Sequence, residues 1–225
     1  MGEETQSIRK RKKGMETTAR ILEISADLFA RKGYDNVSIH EIAGAVGIKE
    51  SSIYNHFNSK ASILNKLFEL FAEKAPESRP AETELDKMIL IMQPDEVFKN
   101  ILFYFGSHTN GFLENVAMII DNEKYRNQRA AEVYYKSFVN EPADYYERLI
   151  NKMIEHGMVK QVDARVFAEQ YNYVSISLTK EYFMVKNGLA DMQTVVKYMI
   201  KTLKFFCSLM IKDDGEQDEK EKGKI

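Results

Sequence analysis

The chain has no tryptophan and one cysteine, Cys207, among its 225 residues. A single cysteine excludes an internal disulfide framework and a multi-cysteine zinc site. Long apolar runs are also missing, because stretches such as 88–92 and 116–120 are far shorter than the roughly 18 to 20 residues that cross a bilayer. The start of the sequence is polar and then basic, without the apolar segment of a secretory signal. These absences predict a cytoplasmic protein with no membrane span.

Catalytic and cofactor motifs are missing as well. The sequence contains no G-x-S-x-G nucleophile elbow, no phosphate-binding loop, no H-E-x-x-H and no dinucleotide fingerprint. His40, His108 and His156 are scattered singly, without a second histidine at the spacing of metal ligands. We therefore expect no enzyme activity, no cofactor and no metal.

Charge is unevenly distributed along the chain. The formal net charge is only −2, but residues 9–66 contain 11 Lys and Arg against 6 Asp and Glu, a net charge of +5. The rest of the chain carries 21 against 28, a net charge of −7. The basic excess at the front favours a polyanionic partner for the N-terminal part.

Apolar residues recur at helical spacing throughout, and no alternating strand is bounded by hairpin turns, so the predicted fold is all-α. A first helix ends at Gly33, a residue suited to a left-handed cap. Pro76 and Pro80 end a fourth helix and mark a domain boundary. We expect a basic arm at 1–14, a small helical domain at 15–75, a larger domain at 76–211 and a disordered charged tail at 212–225.

A helix-turn-helix is predicted between Ser38 and Phe57. Ser38 is placed as an N-cap with Glu41 closing a capping box, and the helix that follows breaks at Gly47. Ala43 is small enough for two helices to approach closely, and a second segment covers 48–56. The side chains left to face outward are Ser38, those of residues 49–52, Asn55 and His56.

Two long helices are expected at the end of the chain, at 163–186 and 191–211. The last carries apolar residues at alternating steps of four and three, a repeat that requires a partner helix. These residues are Met192, Val196, Met199, Leu203, Phe206 and Met210.

The chain is rich in Phe, Tyr and Met, with 13, 12 and 11 residues. Such side chains line pockets for large apolar molecules, although most of them must form the core. We expect two or three ligand contacts among Phe103, Tyr104, Phe105, His108, Tyr134, Tyr135, Tyr146 and Tyr171.

The N-terminal pattern over about residues 15–75 resembles that of the tetracycline-repressor (TetR) family. The residues that carry the resemblance are Ile21, Ala26, Phe29, Gly33, Tyr34, Ser38, Ile42, Ala43, Gly47, Ile48, Ile53, Tyr54, His56, Phe57 and Lys60. The resemblance implies an Ω-shaped homodimer with two DNA-binding heads, a ligand cavity in each larger domain and a dimer interface built from the last two helices.

The same resemblance implies roles for individual residues on DNA. Base contacts would come from Glu50, Ser51, Ser52 and Asn55, and phosphate contacts from Ser38, Lys49, Tyr54, His56 and Lys60. A basic arm of Arg9, Lys10, Arg11, Lys12 and Lys13 would reach a minor groove or follow the backbone. Lys49 departs from the pattern, because family members usually have Ser or Thr at this N-cap. Without such a cap, the local helix is less stable by about 0.5 to 2 kcal/mol.

The expected function is that of a transcriptional repressor released from a palindromic operator when a small, largely apolar effector binds the C-terminal domain. The alternative is a DNA-binding protein of the same fold that senses no ligand and acts as an architectural or partner-recruiting factor. The larger domain of such a protein would have a closely packed core and no ligand cavity.

Overall fold

The computed structural model describes the backbone of residues 2–211 and, within that range, the side chains of all residues except 2–5 and 7–10. The predicted tail at 212–225 lies outside the described residues. Within residues 2–211 the chain is helical and without strands, which confirms the all-α prediction. None of the helices described combines the length and apolar character that a bilayer crossing requires.

The helices follow one another with short connections. In chain order they are α1 (Gly2–Lys32), α2 (Ile39–Val46), α3 (Glu50–Tyr54), α4 (Lys60–Lys74), α5 (Glu82–Ile91), α6 (Pro94–His108), α7 (Gly111–Glu123), α8 (Gln128–Tyr134), α9 (Glu141–Glu155), α10 (Ala164–Lys186) and α11 (Met192–Met210). A 3₁₀ turn at Ala75–Ser78 follows α4, and a π-helical turn at Tyr135–Asn140 precedes α9.

The chain divides into two compact units, and the division differs from the expected continuous domains. The head unit contains residues up to Pro76 together with Thr109–Tyr135, and the second unit contains Glu77–His108 and Lys136 onward. The segment 109–135 joins the head unit because α7 packs against α1 and α4, and α8 packs against α4. A single domain boundary at Pro76 and Pro80 does not describe a chain that returns to the head unit at Thr109–Tyr135.

The core of the head unit is formed by apolar residues of α1 and of the helices around it. Phe29, Ile42, Ile53 and Phe68 are buried almost completely. Gly33 ends α1 with a φ of 82°, which confirms the predicted left-handed cap.

The second unit is built around α6, α9, α10 and α11. The two last helices lie close to their predicted bounds, because Asp163 and Asp191 cap them by accepting hydrogen bonds from the backbone N–H groups of Val166 and Thr194.

The apolar residues predicted to face a partner helix from α11 fall into a buried part and an exposed part. Leu203, Phe206 and Met210 are buried in the core of their own unit, whereas Met192 and Val196 remain 44% and 42% exposed. The C-terminal half of α11 packs against α6 and α10, so the buried part stabilises the chain itself. The prediction that all six residues serve an interface is therefore wrong for Leu203, Phe206 and Met210, which are buried within their own unit.

Candidate nucleic-acid interface

The start of α2 is fixed by Ser38, whose hydroxyl oxygen accepts a hydrogen bond from the backbone N–H of Glu41 at 3.1 Å. The N-cap prediction is confirmed, but the capping box is not formed. The carboxylate of Glu41 instead accepts a hydrogen bond from Lys32 Nζ at 2.5 Å, and this contact lowers the pKa of Glu41. Sequence reasoning missed Lys32 because its partner lies on another helix.

The turn after α2 is a Schellman motif. Gly47 has a φ of 76°, its N–H donates to the carbonyl of Gly44 at 3.2 Å, and the N–H of Ile48 donates to that of Ala43 at 3.0 Å. The turn reverses the chain within a few residues while Ala43 stays buried. It therefore sets the angle at which α3 leaves α2.

The short helix α3 presents a polar face. Ile53 is completely buried beneath it, while Glu50, Ser51, Tyr54 and Asn55 are exposed and Ser52 is half-buried. Lys49 is the N-cap residue and makes no capping hydrogen bond with its side chain, as its residue type predicts. Every residue predicted to contact bases is thus at least partly accessible.

Glu50 has a partner on α2. Its Oε2 lies 3.6 Å from Nδ1 of His40, and both side chains are exposed. Glu50 therefore places an exposed acidic group at the start of the polar face of α3.

His56 is connected to α1 through Thr18, a residue that sequence reasoning did not single out. Oγ1 of Thr18 lies 3.0 Å from the carbonyl of Gly14 and 2.8 Å from Nδ1 of His56. Because a carbonyl oxygen can only accept, the hydroxyl of Thr18 donates its one hydrogen to the carbonyl of Gly14. The hydroxyl oxygen of Thr18 then accepts a hydrogen bond from Nδ1 of His56.

The ammonium group of Lys60 binds the loop that precedes α2. Its Nζ donates to the carbonyls of Tyr34 at 2.8 Å and Val37 at 2.9 Å, and it lies 4.3 Å from the centre of the Tyr34 ring. The side chain fastens the loop that precedes the Ser38 cap, and the expected phosphate contact of Lys60 stays a prediction. The carbonyls of the loop attract the ammonium group of Lys60, because they lie outside a helix and do not receive hydrogen bonds from helical N–H groups.

The predicted basic arm belongs to α1, which is helical from Gly2 onward. The side chains of Arg11, Lys12 and Lys13 are exposed on this helix. The side chains of Arg9 and Lys10 lie outside the described residues. The basic run is therefore an extension of the first helix of the head.

The predicted ligand contacts do not form one group. Tyr134 and Tyr135 belong to the head unit, whereas the other six residues belong to the second unit. Tyr104 and His108 stack on each other at 3.7 Å, and Phe103 and Phe105 are exposed near them on α6. Tyr146 and Tyr171 meet inside the second unit, with ring centres 4.8 Å apart.

Comparison with known proteins agrees with this geometry. The family model "Bacterial regulatory proteins, tetR family" matches residues 21–67, the part that contains the C-terminal end of α1, all of α2 and α3, and the first half of α4. Over residues 21–67, the head is therefore similar to regulators of the TetR family. The match rests on the head, where the buried residues and the glycine turn coincide with the residues that carried the resemblance.

Solved TetR-like structures extend the similarity in fold to most of the chain. A putative transcriptional regulator from Saccharomonospora viridis, solved in complex with choline, has a TM-score of 0.67 at 23% identity and covers 88% of this chain and 100% of that one. A TetR-family regulator from Agrobacterium tumefaciens has a TM-score of 0.63 at 20% identity and covers 85% and 97%.

Sequence similarity to curated TetR-family proteins is confined to a shorter part. The chain is 33% identical to the HTH-type transcriptional regulator AcrR of Shigella flexneri over 76 residues, which cover 34% of this chain and 33% of AcrR. It is 46% identical over 44 residues to the negative transcriptional regulator IcaR of Staphylococcus aureus, covering 20% of this chain and 24% of IcaR. The chain thus spans a third or less of these relatives.

Proposed function

We propose that this protein is a cytoplasmic, homodimeric transcriptional repressor that leaves a palindromic operator when a small, largely apolar effector binds its second unit. The observation that carries the proposal is the polar, accessible face of α3 above a completely buried Ile53. A short helix held in this way can enter the major groove, which is about 12 Å wide.

Related proteins support the regulatory part of the proposal. AcrR and IcaR are named as HTH-type transcriptional regulators, and IcaR as a negative one. The Saccharomonospora viridis neighbour was solved with a small molecule, choline. Binding of an effector to one conformation would weaken operator binding by about 5- to 150-fold, the usual range of coupling between two sites.

The exposed face divides into two kinds of contact. We assign base contacts to Glu50, Ser51, Ser52 and Asn55, and phosphate contacts to Ser38, Lys49, Tyr54 and His56. The basic residues at 9–13 would add contacts to the DNA backbone. Lys60 is left out of the phosphate set because its ammonium group is already bound within the head.

The test is binding to duplexes from the promoter of the gene itself, measured by fluorescence anisotropy at several salt concentrations. Replacing Asn55 by Ala should relax discrimination at one or two base pairs by about 1 to 3 kcal/mol. Replacing Arg11, Lys12 and Lys13 by Ala should weaken binding to every duplex and reduce the log-log salt slope by about 0.9 for each lost phosphate contact.

A matched control is Arg129→Ala, which removes an exposed cation from α8 that pairs with Glu132. It should leave both discrimination and salt slope unchanged. If no inverted repeat in the promoter region binds more tightly than random duplex, the proposed function is wrong.

A DNA-binding protein that senses no ligand is the second candidate. It is favoured by the ring contacts of Tyr171 with Phe98 and Phe206, at 5.1 and 5.2 Å, because they use an expected ligand-contacting residue for core packing. Saturating small molecules would then leave both the melting temperature and operator affinity unchanged.

A further inference from the structure

Arg79 is a largely buried cation with few partners. Its side chain is 12% exposed, its guanidinium lies 4.0 Å from Oε2 of Glu141, and its carbon Cζ lies 5.5 Å from the centre of the Tyr145 ring. Among the described residues, no hydrogen bond of the guanidinium accompanies these contacts. Burial lowers the pKa of Arg79, with Glu141 acting in the opposite direction. A guanidinium has five N–H donors in a planar fork, and here they are available.

Two oxygen atoms in the same region are also unsatisfied. Oε2 of Glu141 and Oγ of Ser137 are buried and have no hydrogen-bond partner among the described residues. Oε1 of Glu141 lies 3.8 Å from Nζ of Lys136. Buried polar groups are normally paired, and a group of unpaired ones in a native fold suggests a missing ligand or ordered water.

The backbone around Ser137 and Glu141 is built in an unusual way. Both residues lie where a π-helical turn passes into α9, a feature frequent at functional sites. Pro142 lacks the N–H that an α-helix would direct at the carbonyl of Phe138. Nδ2 of Asn172 on α10 donates to the carbonyls of Phe138 and Val139 instead, at 3.0 and 3.1 Å. Asn172 thus holds the turn in its widened form.

Aromatic rings adjoin this polar group. Tyr145 and Tyr146 lie next to each other on α9 with ring centres 5.5 Å apart, and Tyr146 contacts Tyr171 on α10. Tyr145 donates its hydroxyl hydrogen to the carbonyl of Pro80 at 3.3 Å, which ties the backbone beside Arg79 to α9. Burial raises the pKa of Tyr146 to about 12. Its hydroxyl therefore stays protonated and can serve as a neutral hydrogen-bond donor.

The balance of charge favours an anion. Arg79 and Lys136 carry two positive charges against the single negative charge of Glu141. The nearby Arg148 is paired with Glu82 at 2.9 Å, so an excess of one positive charge remains. The side chain of Glu141 is 32% exposed, so solvent and small solutes reach the edge of the group. One carboxylate would neutralise the excess and accept hydrogen bonds from Arg79, while an apolar body would suit the tyrosine rings.

We propose that Arg79 and Ser137, with the tyrosines of α9, bind a small monocarboxylic acid that has an apolar or aromatic body, and that Glu141 lies at the edge of this site and limits its affinity. The carboxylate accepts from the guanidinium of Arg79 and the hydroxyl of Ser137. This inference deepens the proposed function, on which it rests, because it names the chemical class of the effector.

The test uses benzoate, phenylacetate and hexanoate as probes, with benzamide as the uncharged match for benzoate. Because the chain has no tryptophan, its intrinsic fluorescence comes from tyrosine, so quenching on titration reports on rings such as Tyr146. Calorimetry gives the dissociation constants. At least one carboxylate should bind, at least about tenfold more tightly than its neutral match, because charge-assisted hydrogen bonds are the stronger kind.

Variants assign the binding to this site. Arg79→Gln should weaken carboxylate binding at least about tenfold, and Arg79→Lys should weaken it less, since it keeps the charge but loses the fork. Glu141→Gln should strengthen binding, because it removes a negative charge beside the ligand, and it serves as the second test if Arg79 variants do not fold. Arg129→Gln, at an exposed position of α8, is the control and should leave carboxylate binding unchanged.

The proposal is overturned if none of the carboxylates binds, if benzamide binds as well as benzoate, or if Glu141→Gln and Arg79→Gln both leave affinity unchanged. Operator binding is measured separately with and without the best probe. A carboxylate that binds through Arg79 but leaves DNA affinity unchanged would support the binding site and contradict the role of its ligand as an effector. Failure to bind any operator would remove the proposed function without changing the carboxylate result.

Discussion

A single side chain, Lys60, holds the loop between α1 and α2. Its ammonium group donates to the carbonyls of Tyr34 and Val37, which precede the Ser38 cap. Replacing Lys60 by Met keeps most of the apolar stem and removes these two hydrogen bonds together with a longer one, of 3.5 Å, to the carbonyl of Asp35. We expect the free energy of unfolding, measured by urea titration, to fall by about 1 to 3 kcal/mol, the range for hydrogen bonds to charged groups.

Lys66→Met is the matched control for this substitution, because Lys66 lies on the same helix and pairs with Glu69 at the surface. Its effect should remain within about 0.5 kcal/mol. The salt slope of DNA binding should not change in Lys60→Met. A stable Lys60→Met protein with a slope reduced by about 0.9 would show instead that the side chain contacts phosphate.

Two glycines of the helix-turn-helix have opposite requirements. Gly47 has a φ of 76°, and Gly44 lies inside α2 with an ordinary helical backbone. A Cβ atom at either position meets nothing within 4 Å, so only backbone conformation distinguishes them. Gly47→Ala should lower the free energy of unfolding by about 1 to 2 kcal/mol. Gly44→Ala should raise it by about 0.5 to 1 kcal/mol. Equal shifts in thermal unfolding would contradict the assignment of Gly47 as the left-handed cap.

Helix ends were predictable from the sequence because their determinants are local. Ser38, Asp163 and Asp191 each cap a helix by accepting from a backbone N–H three residues later, so the signal is contained in four residues. The partner of Lys60 lies more than twenty residues away, and that of Asn172 more than thirty. Such contacts depend on how helices pack, and no spacing in the sequence encodes them.

The candidate DNA surface shows the same limit. The exposed positions of α3 follow from its short apolar pattern, and they were predicted. The contact between Thr18 and His56 and the contact of Lys60 with the loop before α2 both arise where α1 or the loop after it meets another element. The return of α7 to the head could not be derived from the proline boundary either, because apolar stripes do not specify which helix they contact.

At the scale of the whole molecule, the proposed operator binding requires two chains. The two heads would have to meet grooves about 34 to 36 Å apart, one turn of the duplex. The second unit offers a surface for pairing on α11, where Met192, Val196 and Ile200 are spaced by four residues and are more than 40% exposed. Lys197, Lys201 and Lys204 border this strip. An apolar strip bordered by polar residues is typical of a protein–protein interface.

Val196→Glu tests this arrangement, because in a symmetric pair it places two like charges in the buried strip. An unpaired buried charge is destabilising by several kcal/mol, so the dimer dissociation constant should rise at least about 100-fold in sedimentation equilibrium. Operator affinity should fall in parallel, while circular dichroism stays unchanged because Val196 is exposed in the single chain. Ile91→Glu, at an even more exposed apolar position on α5, is the control and should leave association unchanged. A Val196→Glu protein that remains fully dimeric would place the interface on another surface.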